Sequence, residues 1–568
     1  MDELLVETGT DGPRNGGAVS EMKKVSYIAM PMIVTTVSQN MVRVISMMMI
    51  GHLGELSLSG AAIATSLTNV TGFSLLLNKR DPGSRDVRGG SRSSTRMDEL
   101  LVETGTDGPR NGGAVSEMKK VSYIAMPMIV TTVSQNMVRV ISMMMIGHLG
   151  ELSLSGAAIA TSLTNVTGFS LLFGMASALE TLCGQAYGAR QYHMIGTYTY
   201  GAIISLLLVC VPISILWIFT EEFLVMIGQD PSISHEAGIY SIWLIPALFP
   251  FAILQLLVRY LLTQSLLYPM LLSSVAALLF HIPLSWVLIY KFEFGSGGAA
   301  LGIGLSYWLN VILLWGYVKF TPSCEKTRIL FSKDVFPSIR EFFRFGIPSA
   351  VMICLEWWSY ELVILLSGLL PDPQLETSVL SICLTIAALH YYIPYSFGAG
   401  ASTRVSNELG AGHPEAAKLA AWVATFLAAI EVVIASTILF SCRSIVGYAF
   451  GEEKEIANYV REMTPLLSLC LVVDCFQAMF CGVARGTGWQ HLGAYVNLGA
   501  YYVGGIPIAC MLAFVFNWRG KGLWIGLTIG SLLQTCMLMM ITFFTDWKKQ
   551  AREARERLFE GRSQLTIE

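Results

Sequence analysis

The sequence predicts an all-α polytopic membrane protein, with about twelve transmembrane helices in two six-helix halves. A duplicated N-terminal segment precedes them. Three observations predict this fold: the composition, the apolar windows and a faint internal repeat. The chain has 568 residues, of which 53% are hydrophobic and 14% charged. A soluble domain is about 25% charged. Mean hydropathy is +0.57. These values exclude a soluble enzyme and a disordered tail protein. A net charge of −3 leaves no basic footprint for nucleic acid. The expected partners are therefore the lipid bilayer and a small molecule, and a monomer is expected.

Two repeats organise the chain. Met1–Leu76 recurs without change as Met97–Leu172. Between the copies, Asn78–Arg96 is polar, basic and rich in Gly and Ser, and reads as a linker. Such identity marks a recent tandem duplication or a mis-joined gene model, and Met97–Glu568 is read as the functional unit. The older repeat is faint. Ile124–Asn136 lines up with Phe345–Trp357, setting Pro127 against Pro348 and Gln135 against Glu356. GQAYGARQ from Gly184 matches SNELGAGH from Ser406, and ALGIGL from Ala300 matches GLWIGL from Gly522. The offset stays near 222 residues. Two halves in direct order are a common architecture of secondary transporters, with the substrate site between them.

Membrane helices are expected near 121–146, 153–177, 196–219, 237–262, 267–290 and 298–320 in the first half. In the second they are expected near 345–370, 377–400, 416–441, 458–481, 492–516 and 522–545. The duplicated segment adds a span near 25–50 and a second near 57–77. The resulting divisions are a duplicated segment with its basic linker (1–96), an N-lobe (97–322), an inter-lobe loop (323–341), a C-lobe (342–546) and a tail (547–568). Lys326, Arg328, Lys333 and Arg340 in the loop and Lys548, Lys549, Arg552 and Arg555 in the tail place both on the cytoplasmic side. No signal peptide is expected from the polar Met1–Ser20.

Ionisable side chains inside membrane helices are costly to desolvate and mark functional candidates. The interior set is Arg139, Glu356, Glu361, Glu431 and Asp474. Glu356 lies mid-helix in CLEWWSYE, and such a carboxylate can exchange a proton or a sodium ion, or neutralise a cationic substrate. Trp357, Trp358 and Tyr360 are candidates for cation–π contacts. Asp474 lies mid-helix in LVVDCFQAMFCG, with Gln477 on its face. Glu361 is about 140° around the helix from Glu356, so the two do not line one narrow site. Arg139 follows Gln135 and Asn136 and needs a carboxylate or water. His281 and His390 fall in apolar segments and read as satisfied core residues, with His390 a weaker pocket candidate beside Tyr391, Tyr392 and Tyr395. Glu180 reads as a solvated position near the end of the second helix, and GQAYGAR and NELGAG as Gly-bearing cytoplasmic loops. The 11 cysteines include no Cys-x-x-Cys pair, so no disulfide framework, metal site or cofactor is expected.

The stretches from Cys354, ASTRVSNELGAGHPEAAK from Ala401 and VVDCFQAMFCGVARGTGWQHLGAYVNLGAYYVGGIP from Val472 resemble plant multidrug and toxic compound extrusion (MATE) transporters of the DETOXIFICATION branch. The resemblance runs from about Glu117 to Glu556. It implies a V-shaped bundle of two lobes and export of organic, often cationic, compounds in exchange for protons, with sodium a lesser choice. Xenobiotics, alkaloids and flavonoid-type metabolites are the implied cargo, and the vacuolar or plasma membrane the implied location. The family's C-lobe carboxylates fall on Glu356 and Asp474. Two departures stand out: Gln135 and Asn136 replace an N-lobe carboxylate carried by some bacterial relatives, and Arg139 stands where an uncharged residue is expected. A lipid-linked oligosaccharide flippase would need several cavity Arg and Lys. A membrane-embedded enzyme would need a His, Asp or Cys cluster at one membrane face. Neither pattern is visible.

Overall fold

The computed structural model describes residues 114–329, 333–449 and 454–565. The expectations for residues 1–96, including the spans near 25–50 and 57–77, lie outside the described residues. Met118–Glu568 form one compact unit. Twelve of the described helices are long and apolar enough to cross a membrane. In the N-lobe they are α1 Ala114–Gly147, α2 Leu152–Gly188, α3 Tyr192–Ile218, α4 Pro231–Thr263, α5 Tyr268–Lys291 and α6 Gly295–Phe320. In the C-lobe they are α7 Val335–Ser367, α8 Leu375–Ala411, α9 Pro414–Ser441, α10 Lys454–Thr487, α11 Gln490–Val515 and α12 Arg519–Phe544. A further helix, α13, spans Trp547–Leu565. No strand occurs among the described residues.

Lipid offers no partner to a free backbone group, so each span closes its hydrogen bonds internally. Local chemistry sets the ends. Asp230 caps α4, accepting from the amides of Ser232 at 2.8 Å and Ile233 at 3.2 Å, with Pro231 opening the helix. Gly412 ends α8 in the left-handed region at φ 82°, and Pro414 opens α9 two residues on. Pro127 and Pro348, matched by the repeat, lie inside α1 and α7.

Two differences from expectation concern lengths. The seventh helix begins at Val335, inside the segment expected to be loop, because Val335, Ser338 and Phe342 are buried and the Ser338 hydroxyl donates to the Thr197 carbonyl of α3 at 3.2 Å. GQAYGAR and NELGAG are not loops over most of their length: Gly184–Gly188 and Ser406–Ala411 are the last turns of α2 and α8. The two ends cross in close contact. A Cβ at Gly188 would overlap the Asn407 carbonyl, and one at Gly410 would overlap the Gln185 carbonyl.

Each lobe has its own apolar core, and the first helix of each lobe reaches into the other. Val121 and Ala125 of α1 are buried in the C-lobe core. Phe342 and Phe345 of α7 are buried in the N-lobe core. The repeat pairs Val121 with Phe342. Helix α13 follows the same habit: Trp547, Ala551 and Ala554 pack in the C-lobe core and Leu558 in the N-lobe core. The lobes are thus in contact on the side of the bundle that carries α13, called the tail side below, as well as along α2 and α7.

Candidate functional site

The polar interior of the C-lobe is built by α7, α8, α10, α11 and α12. Glu356 of α7 is 6% exposed. Its carboxylate accepts from Tyr391 Oη of α8 and Gln534 Nε2 of α12, each at 3.4 Å. Asp474 of α10 is also 6% exposed. It accepts from Tyr360 Oη at 3.2 Å and from Cys470 Sγ at 3.3 Å. Tyr360 and Tyr501 converge on Ser531 Oγ at 3.4 and 3.0 Å. Ser531 and Gln534, three residues apart on α12, join the two acids into one network: Gln534 donates to Glu356, and Ser531 meets the Tyr360 hydroxyl that donates to Asp474. Gln477 and Gln534 both donate to Cys481 Sγ at 3.3 Å, which joins Gln477 to the same network. Among the described residues, no Lys, Arg or His lies within 4 Å of either carboxylate. Two desolvated acids thus rest on hydroxyl, amide and thiol donors alone, an arrangement that can bind and release a small cation.

The other candidates separate. Trp357 stacks on Phe173 of α2 with centroids 5.5 Å apart, and Trp358 donates to the Val166 carbonyl at 3.1 Å, so both face the N-lobe and neither touches the carboxylates. Successive residues turn by about 100° around a helix, so Tyr360 shares the face of Glu356 while the tryptophans leave it. Glu361 accepts from Ser162 Oγ of α2 at 2.8 Å, a contact between lobes. His390 pairs with Glu431 of α9 at 3.2 Å, and its Nδ1 has no partner among the described residues. His281 is a satisfied core residue: it lies 3.0 Å from Ser142 and 2.9 Å from Ser306. In the N-lobe, Gln135 donates to Ser274 Oγ at 3.2 Å, and Asn136 accepts from Arg139 Nη2 at 3.2 Å. Among the described residues, no group of three or more His, Cys, Asp or Glu is placed to hold a metal ion.

One ion cluster was not foreseen. Glu180 is not solvated but 1% exposed, and its Oε2 lies 2.9 Å from Arg485 Nε of α10. Its Oε1 is 3.9 Å from Arg259 Nε of α4. Arg259 also donates to Tyr395 Oη of α8 at 3.4 Å, and its guanidinium covers the Phe173 ring at 4.6 Å. The Arg485 carbonyl accepts from Thr181, and Gln185 donates to the Gly486 carbonyl at 3.3 Å. This cluster ties α2 and α4 of one lobe to α8 and α10 of the other, beside the Gly188–Gly410 crossing. The signal for it was the strong polar content of the last turns of α2 and α10, which lie beyond the apolar windows.

Sequence and structure comparisons agree with this architecture. The MatE family matches residues 31–78, 127–287 and 348–511. The match at 31–78 falls in the first copy of the duplicated segment and the two residues after it. Protein DETOXIFICATION 8 of Arabidopsis thaliana is 56% identical over 443 residues, covering 78% of this chain and 91% of the relative. Protein DETOXIFICATION 14 of the same organism is 54% identical over 459 residues, covering 81% of this chain and 95% of the relative. The crystal structure of the eukaryotic MATE transporter AtDTX14 superposes with a TM-score of 0.76 at 55% identity, covering 78% of this chain and 99% of that one.

Proposed function

Because the chain belongs to the MatE family of multidrug and toxic compound efflux transporters, we propose that it exports organic compounds in exchange for protons, with Glu356 and Asp474 as the exchanging pair. The observation that carries this reading is the pairing of two buried carboxylates in the C-lobe, neither of them ion-paired with a Lys, Arg or His among the described residues. Family membership makes the protein a multi-pass membrane transporter; the coupling ion and the cargo are our reading.

When both carboxylates are ionised, their mutual repulsion favours a state in which water or a cationic group of the cargo reaches them. Proton uptake removes that repulsion and weakens the hold on a cation. Tyr360 and Tyr391 donate to the ionised acids and can turn to accept from the protonated ones, since a phenol both donates and accepts. Protonation thus changes which packing of α7 against α8 and α10 is favoured, and the lobes rearrange only as far as that difference drives them. Release of the protons on the tail side resets the site. The location proposed is the vacuolar or plasma membrane, the functional species a monomer, and no cofactor beyond the proton is required.

The test is pH-gradient-driven export of a fluorescent organic cation from proteoliposomes. Glu356→Gln keeps the side-chain shape and removes the titration. Export should fall to the background of empty vesicles while the variant elutes as a folded protein. Export by Glu356→Gln at the parent rate would overturn the scheme.

A further inference from the structure

The repeat that pairs Gln135 with Glu356 also pairs Arg139 with Tyr360. In the C-lobe, Tyr360 donates to the built-in carboxylate of Asp474 at 3.2 Å. In the N-lobe, the same register presents a guanidinium, and among the described residues no carboxylate lies within 4 Å of it. Its guanidinium donates to the Asn136 amide oxygen at 3.2 Å, and the phenols of Tyr240 and Tyr307, both buried, and of Tyr392, partly exposed, act on it electrostatically. Arg139 remains partly exposed. The contrast with the tail-side cluster is direct: there Arg259 and Arg485 share Glu180. A guanidinium at membrane depth without a counter-charge is costly, and its planar fork matches a carboxylate with two parallel hydrogen bonds.

We propose that Arg139, with Tyr392 beside it, is a subsite for a carboxylate group carried by an aromatic cargo. The cargo supplies the anion that the N-lobe lacks at this register. The partly exposed ring of Tyr392 gives an aromatic body a surface to pack on, and its hydroxyl can donate to the second carboxylate oxygen. Tyr240 and Tyr307 come from α4 and α6 of the same lobe, whereas Tyr392 comes from α8 of the other. The subsite is therefore shared between lobes, and a rearrangement that withdraws Tyr392 loosens the hold on the anion. With acids in the C-lobe and a base in the N-lobe, the cargo class that satisfies both is an aromatic zwitterion or aromatic acid. This inference rests on the export reading above and narrows its substrate class.

The test uses two forms of one xanthene dye, the free benzoate and its methyl ester. Binding of each to the purified full chain in lipid nanodiscs is measured by fluorescence, and pH-driven export in proteoliposomes. The parent should bind the acid more tightly than the ester. Arg139→Gln should reduce the acid-over-ester preference at least about tenfold, the scale of a charge-assisted hydrogen bond, and Arg139→Lys should restore part of it. Equal binding of acid and ester by the parent, or no binding of the acid, would overturn the proposal. So would a parallel loss of both dyes in Arg139→Gln and Arg139→Lys, which would make Arg139 a packing residue. Glu356→Gln separates the two readings: it should abolish pH-driven export of both dyes and leave the binding preference in place. Export insensitive to Glu356→Gln with a preference that follows Arg139 would sink the coupling scheme alone.

Discussion

Replacing Glu180 by Gln should open the tail side of the transporter. The substitution keeps the size of the side chain and deletes the one carboxylate shared by Arg485, at 2.9 Å, and Arg259, at 3.9 Å. All three side chains are at most 4% exposed, so solvent does little to screen the loss. A charge-assisted hydrogen bond contributes about 1.5–3 kcal/mol, and breaking a buried pair by removing one partner costs about 3–5 kcal/mol. Two guanidinium groups left facing each other add repulsion, while Tyr395 and the glutamine amide recover part of the cost. A net penalty of about 2–4 kcal/mol on the tail-closed arrangement corresponds to about a 30- to 900-fold shift of the equilibrium between arrangements. The lobes can relieve the penalty by parting, because Glu180 and Arg259 belong to one and Arg485 to the other. Spin labels at Gln191 and His413, in the turns after α2 and α8, report this separation by pulsed electron paramagnetic resonance. Cys442, Cys510 and Cys536, the partly exposed thiols, are replaced by serine beforehand. A distance distribution in Glu180→Gln that matches the parent, with export also unchanged, would refute the reasoning.

Four further outcomes are expected. Asp474→Asn should lose pH-driven export and keep or raise its melting temperature, since an amide is less costly than a desolvated carboxylate among Tyr360, Cys470 and Ser531; a fall of many degrees would make Asp474 structural. Gly410→Val should reduce the yield of folded protein and widen the α2–α8 separation, because even a Cβ meets the Gln185 carbonyl; an unaltered distance in the same labelled pair would argue against close packing there. Ending the chain at Gln550 removes Leu558 from the N-lobe core and should weaken the tail-closed arrangement by about 1.5–3 kcal/mol, the scale of one buried leucine, read from the same label distances. Cys324, in the turn after α6, has its thiol pushed up to about 11 by burial. Thiolate is the reactive form, so maleimide labelling of Cys324 should stay negligible at neutral pH and increase only in strongly alkaline buffer, as peptide mass mapping would show.

The twelve spans were legible because each carries an apolar run, and the halves because Pro127 and Pro348 keep their register. The ends of the helices were not. Apolar windows stop where glycine and polar residues begin, near 177, 400 and 481, yet α2, α8 and α10 continue to Gly188, Ala411 and Thr487. Those extra turns are held by contact with the opposite lobe, a long-range fact with no local signature. Glu180 and Arg485 sit on them, so Glu180 read as a solvated flank and Arg485 went unmarked. The carboxylate pair was visible because an acid in an apolar run is conspicuous. Its partners Gln534, Ser531 and Tyr501 were not, since a polar uncharged residue in a membrane helix is common and α11 and α12 are distant in sequence. The separation of Trp357 and Trp358 from Glu356 was readable in principle, from helical angle alone.

The exchange of first helices between lobes bears on how the protein is made. Val121 and Ala125 are buried in the C-lobe core, with Val121 against Gly400 of α8, which the ribosome delivers nearly three hundred residues later. Phe342 and Phe345, by contrast, find a core that is already synthesised. The N-terminal half therefore reaches the membrane with an unfilled commitment, and its opening helix stays unanchored on one side until the last third of the chain emerges. Neither half can be expected to mature alone, and separately expressed halves should recover activity only when they are produced together. An insertion that delays or duplicates the opening helix acts at the most exposed moment of assembly. This chain carries one: Val25 and Ala29 repeat Val121 and Ala125 without change, so the same sequence is synthesised twice before the C-lobe core exists.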